Sequence, residues 1–246
     1  MEKSLVYLDN AIELLKKIRD TQADTIDKAT RMMFDCFIKG GSLYVFGASH
    51  AGIIAEEMFY RAGGLMVVNP IFNPTLMLNT RPVTMTSEME RLEGFGSAIL
   101  EESPAKAGDV LIIHSVSGRN SVAVDMALTA RAKNIGIIVI TSMAYTCKVS
   151  SRHSSGKLLY ELGDIVIDNC GVYGDASIEL GESGVVAGPT STYSGAVIVN
   201  MMSVGFAELC DKNGIDPPVN VSANLDVDRT KTEQMICKYL DRIHYL

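Results

Sequence analysis

Apolar residues recur at helical spacing through Leu5, Leu8, Ile12, Leu15 and Ile18, and again at Ile26, Ala29 and Met33. One or two amphipathic helices therefore open the chain and run to about Phe37. Gly40-Gly41 is their stop signal. From Ser42 to Gly47 the chain is a short apolar run rich in β-formers, followed by the turn Ala48-Ser49 and a helical pattern from about Ala51 to Ala62. The alternation then repeats. Leu65 to Val68 reads as a second strand, and residues 69–82 as irregular, because proline removes donors and disfavours helix before it. A helix near Glu88 to Glu102 leads to a third strand over Asp109 to His114, a loop over Ser115 to Arg119 and a helix over Asn120 to Lys133. Ile135 to Thr141 and Ile165 to Asp168 complete five strands. Strands that are apolar throughout and alternate with helices imply a parallel sheet covered on both faces, a doubly wound α/β sandwich.

Beyond Asp168 the regularity stops. Residues 171–192 are rich in Gly, Ser and Glu with no clear period, which inside a compact domain signals an active-site lid or a flexible loop. A helix over Tyr193 to Lys212, an extended Pro-containing stretch from Pro217 to Leu225 and a last helix from about Asp228 to Arg242 follow. The expected organisation is one domain over 1–246: a helical segment 1–40, an α/β core 41–215 and an extension 216–246.

Composition narrows the partners. With 246 residues, 47% of them hydrophobic, the chain can bury one good core. A net charge of -7 argues against nucleic acid and against an anionic membrane surface, whose binding relies on Lys and Arg. The apolar stretch from Ala196 to Leu209 is shorter than a membrane span and contains Asn200 and Ser203, so it reads as a core helix. The amino terminus lacks the apolar run and cleavage site of a signal peptide, so a cytoplasmic location is expected. Cys36, Cys147, Cys170, Cys210 and Cys237 are scattered singly. That spacing suits buried thiols in a reducing compartment rather than a disulfide framework or a zinc site.

In an open parallel sheet, ligands bind beyond the carboxyl ends of the strands, where loops lead into helix amino termini whose free N–H groups attract anions. Two loops carry suitable residues. Gly47-Ala48-Ser49-His50 offers a small turn, a hydroxyl and an imidazole. Ser115-Val116-Ser117-Gly118-Arg119-Asn120 offers two hydroxyls, a glycine for close backbone approach and a cation. Hydroxyls and amides can surround a phosphate, although the same residues also serve simply as helix caps.

The segment from Leu111 to Thr141, LIIHSVSGRNSVAVDMALTARAKNIGIIVIT, resembles the core of the sugar isomerase (SIS) domain family, whose phosphate loop follows SxSGx(S/T). Ser115, Ser117 and Gly118 fall on that motif, and Asn120 stands where the family has Ser or Thr. FGASHAGIIAEEMF, from Phe46 to Phe59, is similar to the family's other loop, in which a Ser at the place of Ser49 also reaches the phosphate. AEEMFYRAGGL (55–65) and ERLEGFG (90–96) resemble a little-characterised subgroup akin to phosphoheptose isomerases. The resemblance implies a flavodoxin-like five-stranded sheet and a phosphorylated sugar as ligand. It also implies a homodimer or homotetramer with sites completed across subunits.

Interconverting an aldose and a ketose phosphate needs a base that moves a proton between adjacent carbons and a group that opens the ring. Glu57 and Glu93 are the candidate bases and His50 the candidate acid; Ser49, Ser115, Ser117, Gly118, Arg119 and Asn120 are the expected phosphate ligands. Glu57 also suits an ion pair with Arg61 at i,i+4 spacing, and Glu93 a solvated face. His114, His153 and His244 are weaker candidates. The stretch after His50 has no second His or Cys, so no metal and no cofactor are expected. Two alternatives stay open: a lyase or dehydratase acting on an amino-sugar 6-phosphate, as the same scaffold implies, and a sensor that binds a sugar phosphate without turnover.

Overall fold

A computed structural model describes residues 2–226, 228 and 230–246; Met1, Val227 and Arg229, the last inside the anticipated final helix, lie outside it. Helix α1 (Glu2–Ile38) is a single rod. The polar stretch between Ile18 and Ile26, which left two helices open, holds neither Gly nor Pro to break it. The rod ends where Gly40 takes φ 87° and the Gly41 N–H returns to the Cys36 carbonyl at 2.9 Å.

After α1 come β1 (Leu43–Gly47), a 3-10 turn at Ser49–Gly52, α2 (Ile53–Met58), β2 (Val68–Pro70), α3 (Met85–Met89), α4 (Phe95–Glu101) and β3 (Val110–His114). Then follow α5 (Ser121–Ala132), β4 (Gly136–Thr141), α6 (Met143–Thr146), β5 (Ile165–Asp168), the pair β6 (Ala176–Leu180) and β7 (Val185–Pro189), α7 (Ser191–Lys212) and α8 (Thr230–Lys238). The first five strands are parallel in the order β2-β1-β3-β4-β5, the flavodoxin-like arrangement.

Strand residues alternate between two cores. Val45, Ile112, Ile138 and Ile140 face α1 and α7, meeting Met33, Met202 and Phe206. Phe46, Leu111, Ile113 and Val139 face α4 and α5, meeting Leu100, Met126 and Ala127. Burial on both faces is the reason the strands are apolar without alternation. α7 passes for a membrane span by length and composition, yet its Ile198, Val199, Met202 and Phe206 are packed inside this core.

Four expectations change. β2 sits three residues later than the sequence suggests, because Pro70 is tolerated on an edge strand and Leu65 is used in a separate bridge to Val219. The helix expected over Glu88 to Glu102 is broken into α3 and α4 by a turn in which Gly94 takes φ 85°. Residues 171–192 are largely a β-hairpin, β6 antiparallel to β7, closed by a 3-10 turn at Gly181–Ser183. Of the cysteines, Cys36, Cys170 and Cys210 are buried, but Cys147 and Cys237 are exposed.

Candidate functional site

At the point where the strand order reverses, β1 and β3 lie side by side with Gly47 opposite His114. The chain leaves them toward opposite faces: α2 joins the α1/α7 core and α5 the α4 core. The crevice between the two exits is a cavity of about 290 Å³ lined by Ser49, His50, Ser115, Ser117, Asn120 and Glu90, among others. The β1 exit must turn tightly. A Cβ on Gly47 would lie 2.3 Å from the Ala51 carbonyl oxygen, so only glycine fits. Ser49 takes φ 54° and Gly118 φ 59°, left-handed conformations that set the shape of the two loops.

The hydroxyls of Ser49, Ser115 and Ser117 make no hydrogen bond to any described residue. The N–H groups of Val116 through Asn120 likewise have no acceptor among the described residues. A turn of free amides at the start of a helix, flanked by three free hydroxyls, is a set of donors arranged for an anion.

Asn120 is used differently. It precedes α5 without capping it; its Nδ2 donates to Glu90 Oε2 at 2.5 Å, and its Oδ1 accepts from Arg152 Nη1 at 2.8 Å. The amide that replaces the family hydroxyl thus holds a carboxylate in the cavity wall. Gly118 and Arg119 support the loop rather than line the cavity. Their carbonyls accept from Leu159 N–H and Arg152 N–H, both at 2.9 Å, and Arg119 Nε is enclosed without a partner.

Glu90, absent from the base candidates drawn from sequence, is the acidic group of the cavity that caps no helix. Burial pushes its carboxyl up from the ordinary range, against the opposing pull of the Asn120 amide and of Arg91, Arg152 and His50. The other acid, Asp175, is occupied at the start of α7: it accepts from the Thr190 and Ser191 amides at 3.0 and 2.8 Å and from both hydroxyls. Asp175, from the turn before β6, and Tyr145, from α6, also line the cavity, although nothing local in the sequence marks either of them.

The two expected bases lie elsewhere. Glu57 is ion-paired with Arg61 and accepts from Asn200 Nδ2 at 2.7 Å, on the last turn of α2 and outside the cavity lining. Glu93 is exposed and accepts from the Ser154 hydroxyl and amide, which hold its carboxyl below the usual range. His50 is at the cavity. His114 lines it from below, with Nδ1 3.0 Å from the Ala51 carbonyl oxygen. A carbonyl only accepts, so Nδ1 carries the proton and Nε2 is bare and enclosed without a partner. Burial pushes the His114 imidazole below its ordinary value, so it is neutral.

Fold and cavity together define a class: an open parallel α/β protein in which two serine loops meet at a cavity at the sheet's switch point. Residues 6–142 match the model of the SIS domain. A UPF0309 protein of Oceanobacillus iheyensis is 47% identical over 240 residues, 98% of each chain. One of Streptomyces coelicolor is 38% identical over 240 residues, 97% of this chain and 96% of that one. The chain belongs to the SIS domain family, among its UPF0309 members. Its fold is shared by a phosphoheptose isomerase of Francisella tularensis, with TM-score 0.56 and 15% identity over 84% of this chain and 97% of that one. A phosphoheptose isomerase of Neisseria gonorrhoeae gives 0.53 and 16% over 83% and 98%.

Proposed function

We propose that the protein binds a phosphorylated sugar and isomerises it between aldose and ketose forms. The observation that carries this reading is the convergence of three unpartnered hydroxyls and a run of unpartnered amides on one cavity that also holds a half-buried carboxylate. The phosphate is held by Ser49, Ser115, Ser117 and the amides of Val116, Ser117 and Asn120, which satisfy its oxygens without a buried excess of charge. Tethering at that end brings the sugar carbons to Glu90. Its carboxylate takes the proton from the carbon next to the carbonyl, giving an enediolate, and returns it to the neighbouring carbon while the hydroxyl proton passes between the two oxygens. His50, which also lines the cavity, protonates the ring oxygen on opening. The SIS family membership supports a phosphosugar ligand.

Assembly into a homodimer or homotetramer is part of this proposal. Leu5, Leu8 and Ile12, in the first half of α1, are 62%, 54% and 43% exposed, an apolar stripe at helical spacing suited to a second copy.

The test is a thermal-shift screen with hexose, heptose and amino-sugar phosphates, each beside its unphosphorylated form. Stabilisation by at least one phosphate and by no parent sugar is expected. Equal shifts for the two forms would remove the phosphate cradle from the account.

A further inference from the structure

Arg152 reaches the cavity wall through Asn120. Its backbone is fixed around the start of α5: its N–H donates to the Arg119 carbonyl at 2.9 Å and its carbonyl accepts from Ser121 Oγ at 3.2 Å. The next residue, His153, is anchored to the same helix, with Nε2 2.9 Å from Asp125 Oδ1. From this position Arg152 Nη1 donates to Asn120 Oδ1 at 2.8 Å, and Asn120 Nδ2 donates to Glu90 Oε2 at 2.5 Å. Glu90 is tied to α5 by its backbone as well, its carbonyl accepting from Val122 N–H at 3.1 Å. Residues 90, 120 and 152 are thus joined in one line that no local stretch of sequence contains.

The chemistry of the three groups dictates which way the middle one points. A guanidinium only donates and an ionised carboxylate only accepts, so an amide between them turns its oxygen to Arg152 and its nitrogen to Glu90. Without the arginine either end of the amide could face the carboxylate, and an oxygen turned toward Glu90 would favour the protonated carboxyl. The amide also keeps cation and carboxylate apart: among the described residues Glu90 and Arg152 form no ion pair with each other. A direct pair would hold the carboxyl low and weaken it as a base.

We propose that Arg152 is a positioning residue for Glu90: it fixes the orientation of the Asn120 amide, which in turn holds the carboxylate in the cavity wall without an ion pair. This role rests on the reading of Glu90 as the base and adds to it the residue that aims that base. Besides burial and the Asn120 amide, the charges of Arg91, Arg152 and His50 act on Glu90. An effect of Arg152 through Asn120 therefore has to be separated from a direct effect of its charge.

Carboxyl carbon NMR of the ligand-free protein, isotope-labelled at glutamate and assigned by loss of the Glu90 signal in Glu90→Gln, makes that separation. Arg152→Met removes the donor from an exposed side chain and should raise the titration midpoint of Glu90 by about 0.5 pH or more. Arg152→Lys, which still donates, should restore most of the parent value. The rise should persist in about 0.5 M KCl, which screens exposed charge but leaves a hydrogen bond in place. In an Asn120→Ser background, whose shorter side chain cannot bridge the two groups, Arg152→Met should move the midpoint by no more than about 0.2. A midpoint unchanged in Arg152→Met overturns the proposal. So does a rise that vanishes in salt, or one that is undiminished in the Asn120→Ser background, because either assigns the effect to charge alone. The expected coupling together with full turnover of a sugar phosphate by Glu90→Gln would contradict the base reading and leave Arg152 as the residue that orients Glu90.

Discussion

At the scale of single residues, the account turns on Glu90. Glu90→Gln keeps the hydrogen-bonding shape that meets Asn120 but removes the base, so turnover should fall by about 10²–10⁴ while ligand affinity changes little. Because burial raises its carboxyl, the acid limb of kcat/KM should lie above the ordinary glutamate range of about 4.3, and the substitution should abolish it. A limb at the ordinary value would contradict Glu90 as the base. His114 makes a separate prediction about stability. Its folded form is pushed below the ordinary value of 6.5, so the unfolded chain binds the proton more readily. Its contribution is therefore present above about pH 6.5 and lost as the pH falls through the acid range below it. Denaturant midpoints measured from pH 7 to pH 5 should drop less in His114→Asn than in the parent. The cysteines give a third check. Burial holds the Cys36 and Cys210 thiols up at about 11, whereas Cys147 and Cys237 are exposed, so a thiol reagent at pH 7.5 should label those two first. Ser49, Ser115 and Ser117 were legible as candidates because their loops follow apolar strands and match the family's motif, although such serines also cap helices; the structure places all three on one cavity. Glu90 was not, since nothing local separates it from Glu88 or Glu93; the left-handed turn at Gly94 and the Asn120 contact make the choice.

At the scale of elements, close crossings carry the site. A Cβ on Gly96 would lie 2.1 Å from the Val122 carbonyl oxygen, so α4 packs on α5 through a bare backbone. Gly96→Ala should destabilise the fold by about 1–3 kcal/mol, read from denaturant unfolding, by prising α4 from α5 and loosening the Glu90 turn. An unaffected midpoint would mean that the two helices are not so closely apposed. Buried parallel strands announce themselves, and β1, β3, β4 and β5 were read within about a residue or two because continuous apolar runs of that length have little alternative. The hairpin of β6 and β7 was not legible. Its strands are mostly exposed, so neither burial nor alternation marks them, and their pairing is decided by the turn at Gly181–Ser183. The break between α3 and α4 escaped for a similar reason: the Gly94 N–H is received at 2.7 Å by Asp125 of α5, a contact that no local window contains.

At the scale of the whole molecule, the order β2-β1-β3-β4-β5 places the two serine loops next to each other, and no single stretch of sequence states that adjacency. The exposed apolar stripe on the first half of α1 is the other large-scale feature. If Leu8 and Ile12 meet a second copy, light scattering should give a dimer or larger particle, and Leu8→Glu with Ile12→Glu should shift it toward monomer. A monomeric parent would remove assembly from the proposal and leave the cavity argument intact. The central claim is the adjacency itself, and a crystal structure with a bound hexose phosphate tests it most directly. The phosphate oxygens should stand about 2.5–3.0 Å from the Oγ atoms of Ser49, Ser115 and Ser117. A phosphate found instead in the cavity of about 460 Å³ bounded by Tyr44, Phe95 and His244, with the serine loops empty, would contradict it.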